Sequence, residues 1–269
     1  MSHKSWIIAF YLFKRDYNSV ITYASQVLGA TPADRLRPWN TTLQSLQYLE
    51  LQAEYTRSSL QGNLLLQEAN SVWGRSYASL RYGLGNSIAN QLLFSRNVSG
   101  WVYAYPVYGT ERVYNIPKFY EQFVQETINA NIGNPYNTIP LFTAEEVLLT
   151  RSEAYLRVNN STASINDMNA FLSKNIEDYD AATDNVTSAK AVAFYQQSAG
   201  TSLLLAILDF KRAFFLHEGM RWFDILRLKI PVTHEFSEGG RTILSANDPR
   251  RVLQLPVLTK QAGLEPNPR

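Results

Sequence analysis

Apolar side chains recur every three or four residues at the start of the chain, which is the period of an amphipathic helix. The repeat runs through Trp6, Phe10 and Phe13, and it continues in the next stretch. The pattern predicts helices over 4–14 and 17–28, joined by a short turn. A hairpin of this kind is the unit of tetratricopeptide-type scaffolds, and a single unit must stack on further structure to bury its apolar face.

The middle of the chain, 30–140, has a weak apolar period and many prolines and glycines. It is therefore expected to form long ordered loops, short helices and one strand pair around 101–120. The stretch 73–120 carries 11 aromatic residues. Alternate positions of an extended segment share one face. The aromatic positions that alternate in this way are Trp101, Tyr103 and Tyr105.

Helical periodicity returns after Thr143. Thr143 and Glu146 have the spacing of a capping box, in which a hydroxyl and a carboxylate satisfy amide groups at a helix start. They predict a helix over 144–158. Further helices are predicted over 164–175, 189–197 and 202–229. Pro231 ends the last and longest of them, so the predicted fold class is mostly α.

The predicted longest helix carries charges of alternating sign at every third position: Glu218, Arg221, Asp224 and Arg227. Residues at this spacing are neighbours on a helix surface. Because the remaining positions are strongly apolar, we expect the ion pairs to be at least partly buried, and a buried charge is costly unless it is paired. We therefore predict that Arg221 and Asp224 are largely buried and paired with each other, with Glu218 or with the backbone.

Composition narrows the possible chemistry. The chain has no cysteine, which excludes disulfides and thiolate sites, and its three histidines lack the spacing of a metal-binding pair. A net charge of +2 without a basic cluster argues against nucleic acid. Neither a nucleophile-elbow motif nor a phosphate-binding loop is present. No cofactor and no enzymatic activity are therefore expected, although paired carboxylates for glycoside cleavage stay possible.

The segment 208–229 resembles the late helix of the SusD/RagB family, whose pattern is Glu-Gly-x-Arg-Trp-x-Asp-x-x-Arg. Every fixed position is matched, by Glu218, Gly219, Arg221, Trp222, Asp224 and Arg227. The segment 145–156 is similar to the preceding family helix, with Ser-Glu-Ala in place of the usual Ala-Glu-Ala. Residues 4–28 look like the family's tetratricopeptide helices, and Asn267-Pro268 fits its ending.

The resemblance implies a SusD-like helical fold and a single domain over 1–269 that lacks the family's N-terminal half. Its parts would be a helical hairpin (1–29), a loop-rich variable region (30–140) and the family's C-terminal helices and tail (141–269). The motif at Glu218, Gly219, Arg221, Asp224 and Arg227 is interpreted as structural, with Gly219 allowing close helix approach. Proteins with very different ligands share this motif.

The resemblance also implies a function. Family members bind a glycan or related nutrient polymer without catalysis, on the extracellular face of the outer membrane, and pass it to a TonB-dependent SusC-like transporter. The lipid anchor is expected on the missing N-terminal part. The candidate ligand contacts are Trp73, Trp101, Tyr103 and Tyr105, although ordinary packing beneath the loops is an equally simple interpretation. A helical-repeat interaction scaffold and a glycan-active enzyme are the alternative functions.

Overall fold

The computed structural model describes residues 2–76, 83–110, 113–235 and 240–267. The chain forms two compact units, Met1–Glu218 and Gly219–Arg269. Helices dominate the described residues, which confirms the predicted fold class. The single-domain organisation stays a prediction.

The first helical hairpin is formed by α1 (Ser2–Lys14) and α2 (Tyr17–Leu28), as the sequence predicts. Asp16 starts α2, and its carboxylate accepts a hydrogen bond from the Ser19 N–H at 3.1 Å. Gly29 ends α2 with φ +73°, a conformation that favours glycine. The aromatic stripe of α1 faces outward: Trp6, Phe10 and Phe13 are all at least half exposed.

The second hairpin consists of α6 (Ala144–Arg157) and α7 (Ser161–Asn175). Thr143 caps α6, and its Oγ1 accepts from the Glu146 N–H at 3.1 Å. α7 begins three residues earlier than predicted because the Asn160 side chain caps it by accepting from the Ala163 N–H. A buried ion pair of 2.7 Å joins Arg151 of α6 to Asp167 of α7.

The remaining helices of the first unit are short, apart from one. They are α3 (Tyr48–Tyr55), α4 (Trp73–Ser76), α5 (Asn86–Ala89), α8 (Ala181–Asp184), α9 (Ser188–Tyr195) and the longer α10 (Ala199–Phe214). One π-helical turn, Asn90–Phe94, follows α5 directly. Among the described residues no single helix is long and apolar enough to cross a membrane, and only the pair α9 and α10, bent by 82°, reaches that length and composition together.

The structure contains more strand than the sequence indicates. β1 (Asn63–Asn70), β5 (Gly133–Thr143) and β4 (Glu121–Gln125) form an antiparallel sheet in that order. The sequence does not predict β5, because the strand contains Pro135 and Pro140 and proline is rare inside sheets. In the structure Pro135 pairs only with β4, and Pro140 pairs only with β1. Each proline therefore lies at a position where β5 has a neighbouring strand on one side.

A small strand pair, β2 (Tyr108–Thr110) and β3 (Val113–Asn115), lies inside the predicted range 101–120. Trp101, Tyr103 and Tyr105 are outside these strands, although Tyr103 forms an isolated antiparallel bridge with Ile176.

The predicted continuous helix over 202–229 is wrong. α10 ends at Phe214 and α11 spans Arg221–Leu228. Between them His217 and Gly219 adopt left-handed conformations, with φ +73° and +74°. The break has a visible cause in the first unit: the Lys118 ammonium donates to the carbonyl oxygens of Phe214 and Leu216, which would otherwise continue the helical ladder.

The second unit contains α11 and a strand pair, β6 (Val232–Glu235) with β7 (Arg241–Leu244). Asp224 is buried, as predicted, but the partner in its ion pair is Arg227 at 2.9 Å, which is not among the predicted partners. Arg221 opens α11 and is only half-buried. Arg251 is buried in the same unit and donates to the carbonyl oxygens of Ile225 and Ser245 at 2.7 and 2.9 Å.

Candidate functional site

A surface cleft of about 370 Å³ opens in the first unit, in the loop-rich region. This volume lies at the small end of the range of ligand pockets, roughly 300–1,000 Å³. Four separate parts of the chain line the cleft: Gln44, Leu93 with Phe94, the segment 102–107, and Glu177.

The floor of the cleft, 102–107, is held against the end of α7. The Ala104 N–H donates to the Asn175 carbonyl oxygen at 2.9 Å, and the Glu177 N–H donates to the Val102 carbonyl oxygen at 3.2 Å. The buried Asn175 side chain accepts a hydrogen bond from the Tyr105 hydroxyl at 2.8 Å. One helix end therefore fixes both the backbone and a side chain of the floor.

Tyr103 and Tyr105 do share one face, but it is turned inward. Their rings stack with centroids 5.0 Å apart and planes 3° apart, and only 7% and 8% of their surfaces are exposed. Burial raises the pKa of both hydroxyls well above the usual value. The expected exposed platform at these two positions is therefore absent, because Tyr105 packs on Trp39 and Phe214 of the core. Their contact with a ligand stays a prediction.

Trp101 lies directly before the floor and is 38% exposed. The Arg96 guanidinium is above its ring, 5.3 Å from the centroid. Trp73 lies elsewhere and is half-buried: its ring contacts Phe119 edge-on, with centroids 6.3 Å apart, and His217 at 5.4 Å. The structure therefore separates the four predicted aromatic residues instead of joining them in one surface.

Sequence reasoning missed Phe94, Gln44 and Glu177. Phe94 belongs to the aromatic-rich stretch, and 44% of its surface is exposed in the wall of the cleft. It ends the π-helical turn, a feature that is frequent at functional sites, but no sequence period reveals such a turn. Gln44 and Glu177 are 133 residues apart in the sequence, so only the folded chain brings them together.

The motif residue Glu218 takes part in a separate buried charge cluster, which consists of Arg37, Tyr55, Lys118, Glu145 and Glu218. Glu218 accepts from the Lys118 ammonium at 2.6 Å and from the Tyr55 hydroxyl at 2.8 Å. Arg37 pairs with Glu145 at 2.7 Å. The four charged side chains are at most 2% exposed.

The charge cluster joins distant parts of the first unit. Burial lowers the pKa of Lys118, and the Glu218 carboxylate acts in the opposite direction. Each carboxylate has a cation beside it, so the two positive and two negative charges balance. Because these charges are paired and closed to solvent, the arrangement can hold the end of α10 in place but cannot meet a surface ligand.

Gly219 has a different role from the one expected. A Cβ built at Gly219 would meet no heavy atom within 4 Å, so the glycine does not permit a close helix contact. Its positive φ is what requires glycine at this position. Within the described ranges, no group of three or more His, Asp or Glu side chains is arranged to hold a metal ion.

No family model matches the sequence, and no curated protein matches it. Solved structures do match its fold. A SusD superfamily protein from Bacteroides vulgatus has a TM-score of 0.59 at 17% identity, over 98% of this chain and 58% of its own. A SusD superfamily protein from Bacteroides thetaiotaomicron has a TM-score of 0.57 at 16% identity, over 83% of this chain and 48% of its own. The chain has the SusD-like fold.

A SusD-like protein from Bacteroides fragilis gives a TM-score of 0.56 at 13% identity and covers 98% of this chain. This chain spans 64% of that protein, so it corresponds to about half to two thirds of each of these SusD-like structures. The structural likeness confirms the fold that the motif around Glu218 implies, and at these identities it shows the fold alone.

Proposed function

We propose that this SusD-like chain binds a glycan or related nutrient polymer without catalysis. The observation that carries the proposal is the open cleft of about 370 Å³ in a SusD-like fold, with the exposed Phe94 ring in its wall and Trp101 beside its floor. Its natural setting would be the extracellular face of the outer membrane, with delivery to a TonB-dependent SusC-like transporter.

Sugar chemistry suits this surface. The CH groups of a pyranose face pack on aromatic rings, and a few polar groups at the rim fix the hydroxyls. Phe94 and Trp101 supply exposed rings, and Gln44 and Glu177 supply polar groups in the cleft. Because α7 holds the floor of the cleft in place, little conformational entropy of the floor is lost when a sugar docks.

A non-catalytic role is supported by the positions of the carboxylates. Glycoside hydrolases use two carboxyl groups that flank the scissile bond. Of the described residues that line the cleft, Glu177 is the sole carboxylate. Glu145 and Glu218, by contrast, are engaged by Arg37 and Lys118 in the buried charge cluster.

Replacement of Trp101 tests the proposal. Trp101→Ala should weaken polysaccharide binding several-fold, because it removes an exposed ring beside the cleft, while helical circular dichroism and Tm stay near wild type. Binding is measured by affinity electrophoresis and calorimetry with starch, xylan, cellulose-derived and mannan-derived oligosaccharides. Trp6→Ala is the matched control, because Trp6 is 61% exposed and lies on α1 instead of the cleft.

Equal binding by the two variants would exclude Trp101 from the site. Failure of the wild-type chain to bind any polysaccharide in the panel would contradict the proposed function itself.

A second candidate function is a helical-repeat interaction scaffold without a small ligand. The outward-facing stripe of Trp6, Phe10 and Phe13 on α1 favours it, because large exposed apolar patches often mark interaction surfaces. The same panel separates the two candidates, since the scaffold requires no saccharide binding.

A further inference from the structure

The floor of the cleft has one backbone edge that faces away from α7. Tyr103 lies opposite Ile176 in an antiparallel bridge, and the two hydrogen bonds flank this pair, from Ala104 to Asn175 and from Glu177 to Val102. In an antiparallel pair of this type, the central residue's own N–H and C=O point away from the partner segment.

The described fold leaves these two polar groups of Tyr103 unused. Within the described part of the chain, no residue hydrogen-bonds to the Tyr103 N–H or C=O. Tyr103 lines the cleft, and its bridge to Ile176 directs its N–H and C=O away from α7. Pro106 has no N–H and ends this edge after a few residues.

We infer that the cleft binds a neutral glycan through a pair of free vicinal hydroxyl groups that dock on the Tyr103 backbone. One hydroxyl accepts from the Tyr103 N–H, and its neighbour on the sugar ring donates to the Tyr103 C=O. A hydroxyl can donate or accept, so two adjacent hydroxyls match an adjacent donor and acceptor. This inference rests on the proposed function and names the class of glycan.

The charge of the cleft favours a neutral ligand. Of its described lining residues Glu177 alone is charged, and it is exposed. A uronate or sulfate group in this cleft would meet a carboxylate and find no cation in the lining. The exposed Phe94 ring supports a sugar instead of an extended peptide strand, because it offers a flat apolar surface beside a short backbone edge.

The test compares neutral hexasaccharides with derivatives that keep the ring and the linkage. Cellohexaose, xylohexaose and isomaltohexaose all carry free vicinal hydroxyls, and their fully O-methylated forms cannot donate to a carbonyl. Methylation removes the hydrogen bond donated to the Tyr103 C=O and adds a methyl group beside the bond accepted from its N–H, so we expect it to weaken binding about tenfold. Stacking on Phe94 and Trp101 would survive methylation, so the two contributions are separable.

A direct readout comes from the backbone amide of Tyr103. In the labelled full chain, the Tyr103 amide resonance should shift on addition of cellohexaose and exchange its proton more slowly. Trp6→Ala is the matched variant: Trp6 is exposed on α1 and does not line the cleft, so affinity and the shift of the Tyr103 amide resonance should be unchanged. Hexagalacturonate carries the same hydroxyl pair with added carboxylates, so it should bind more weakly than the neutral hexasaccharides. Glu177→Gln should reduce this difference in affinity.

Three outcomes would overturn the inference. Equal binding of methylated and free hexasaccharides would reject the hydroxyl contact while leaving ring-based glycan binding intact. An end-capped hexapeptide of Val and Thr that shifts the Tyr103 amide when no hexasaccharide does would assign the edge to peptide-strand addition. If none of the hexasaccharides, free or methylated, binds, the inference fails together with the proposed function.

Discussion

Glu218 shows at the scale of one residue what the acid at the start of the segment 218–227 does in this structure. Its carboxylate holds the Lys118 ammonium at 2.6 Å, and the same ammonium binds the carbonyl oxygens at the end of α10. One buried acid therefore supports the cation that ends a helix. The Tyr55 hydroxyl completes the arrangement by donating to the same carboxylate at 2.8 Å.

We predict that Glu218→Gln lowers the free energy of unfolding by about 3–5 kcal/mol, because it leaves the buried Lys118 charge without its partner. Urea unfolding followed by circular dichroism measures the change. Glu54→Gln is the control: Glu54 pairs with Arg57 at the surface, where an ion pair contributes about 1 kcal/mol or less. Similar losses in the two variants would contradict the assigned role of Glu218.

His217, next to Glu218, predicts a dependence of stability on pH. Burial, with a further contribution from Lys118, lowers the pKa of His217 to about 4 from the usual 6.5. Its Nε2 accepts from the Ile116 N–H, which requires the neutral ring. Between these pKa values the unfolded chain binds the extra proton, so stability is complete above about pH 6.5 and falls as the pH drops towards 4.

The expected size of this effect is about 3 kcal/mol, since each unit of pKa shift corresponds to about 1.4 kcal/mol. Urea unfolding at several pH values measures it. His217→Gln keeps a hydrogen-bond acceptor but does not titrate, so its stability should change less between pH 6.5 and 4. An identical pH profile in the variant would show that other groups cause the dependence.

At the scale of elements, the sequence predicts what local signals determine. α1, α2 and α6 match their predicted ranges to within two residues because caps such as Asp16 and Thr143 and a 3.6-residue period are local. The break after Phe214 was not predictable in this way. It depends on Lys118, which lies 96 residues away from Phe214 in the sequence.

Gly219 is the residue at this break that the backbone conformation constrains most. We predict that Gly219→Ala lowers the free energy of unfolding by about 1–2 kcal/mol, because an L residue with a Cβ is strained at φ +74°. A Cβ at this position would point into open space, so backbone strain alone accounts for the loss.

Gly200→Ala is the matched control. Gly200 lies in the first turn of α10, also without a heavy atom within 4 Å of a built Cβ, and its φ is not positive. Alanine favours helix over glycine by about 1 kcal/mol, so this variant should be as stable as wild type or more stable in the same urea measurement. Equal destabilisation by the two substitutions would rule out the strain argument.

At the scale of the whole molecule, the cleft combines segments that no single pattern connects. The aromatic-rich stretch was visible in the sequence, and Trp101 is indeed exposed. The inward turn of Tyr103 and Tyr105 was not visible, because alternation fixes which residues share a face but not which face meets the core. Tyr105 is held inward by its hydrogen bond to Asn175 at the end of α7, 70 residues later in the sequence, and by its packing on Trp39 and Phe214.

Tyr105 therefore links the cleft to the core, and its hydroxyl provides the test. We predict that Tyr105→Phe lowers the free energy of unfolding by about 1–3 kcal/mol, because it removes the hydrogen bond to the buried Asn175 side chain. Since Asn175 also accepts from the Ala104 N–H, saccharide binding should weaken as the floor loosens. Tyr103→Phe is the control: Tyr103 is equally buried, and no described residue hydrogen-bonds its hydroxyl. Urea unfolding and calorimetry should show a lower free energy of unfolding and weaker saccharide binding for Tyr105→Phe alone. The same two losses in Tyr103→Phe would mean that packing, and not the hydrogen bond to Asn175, holds the floor.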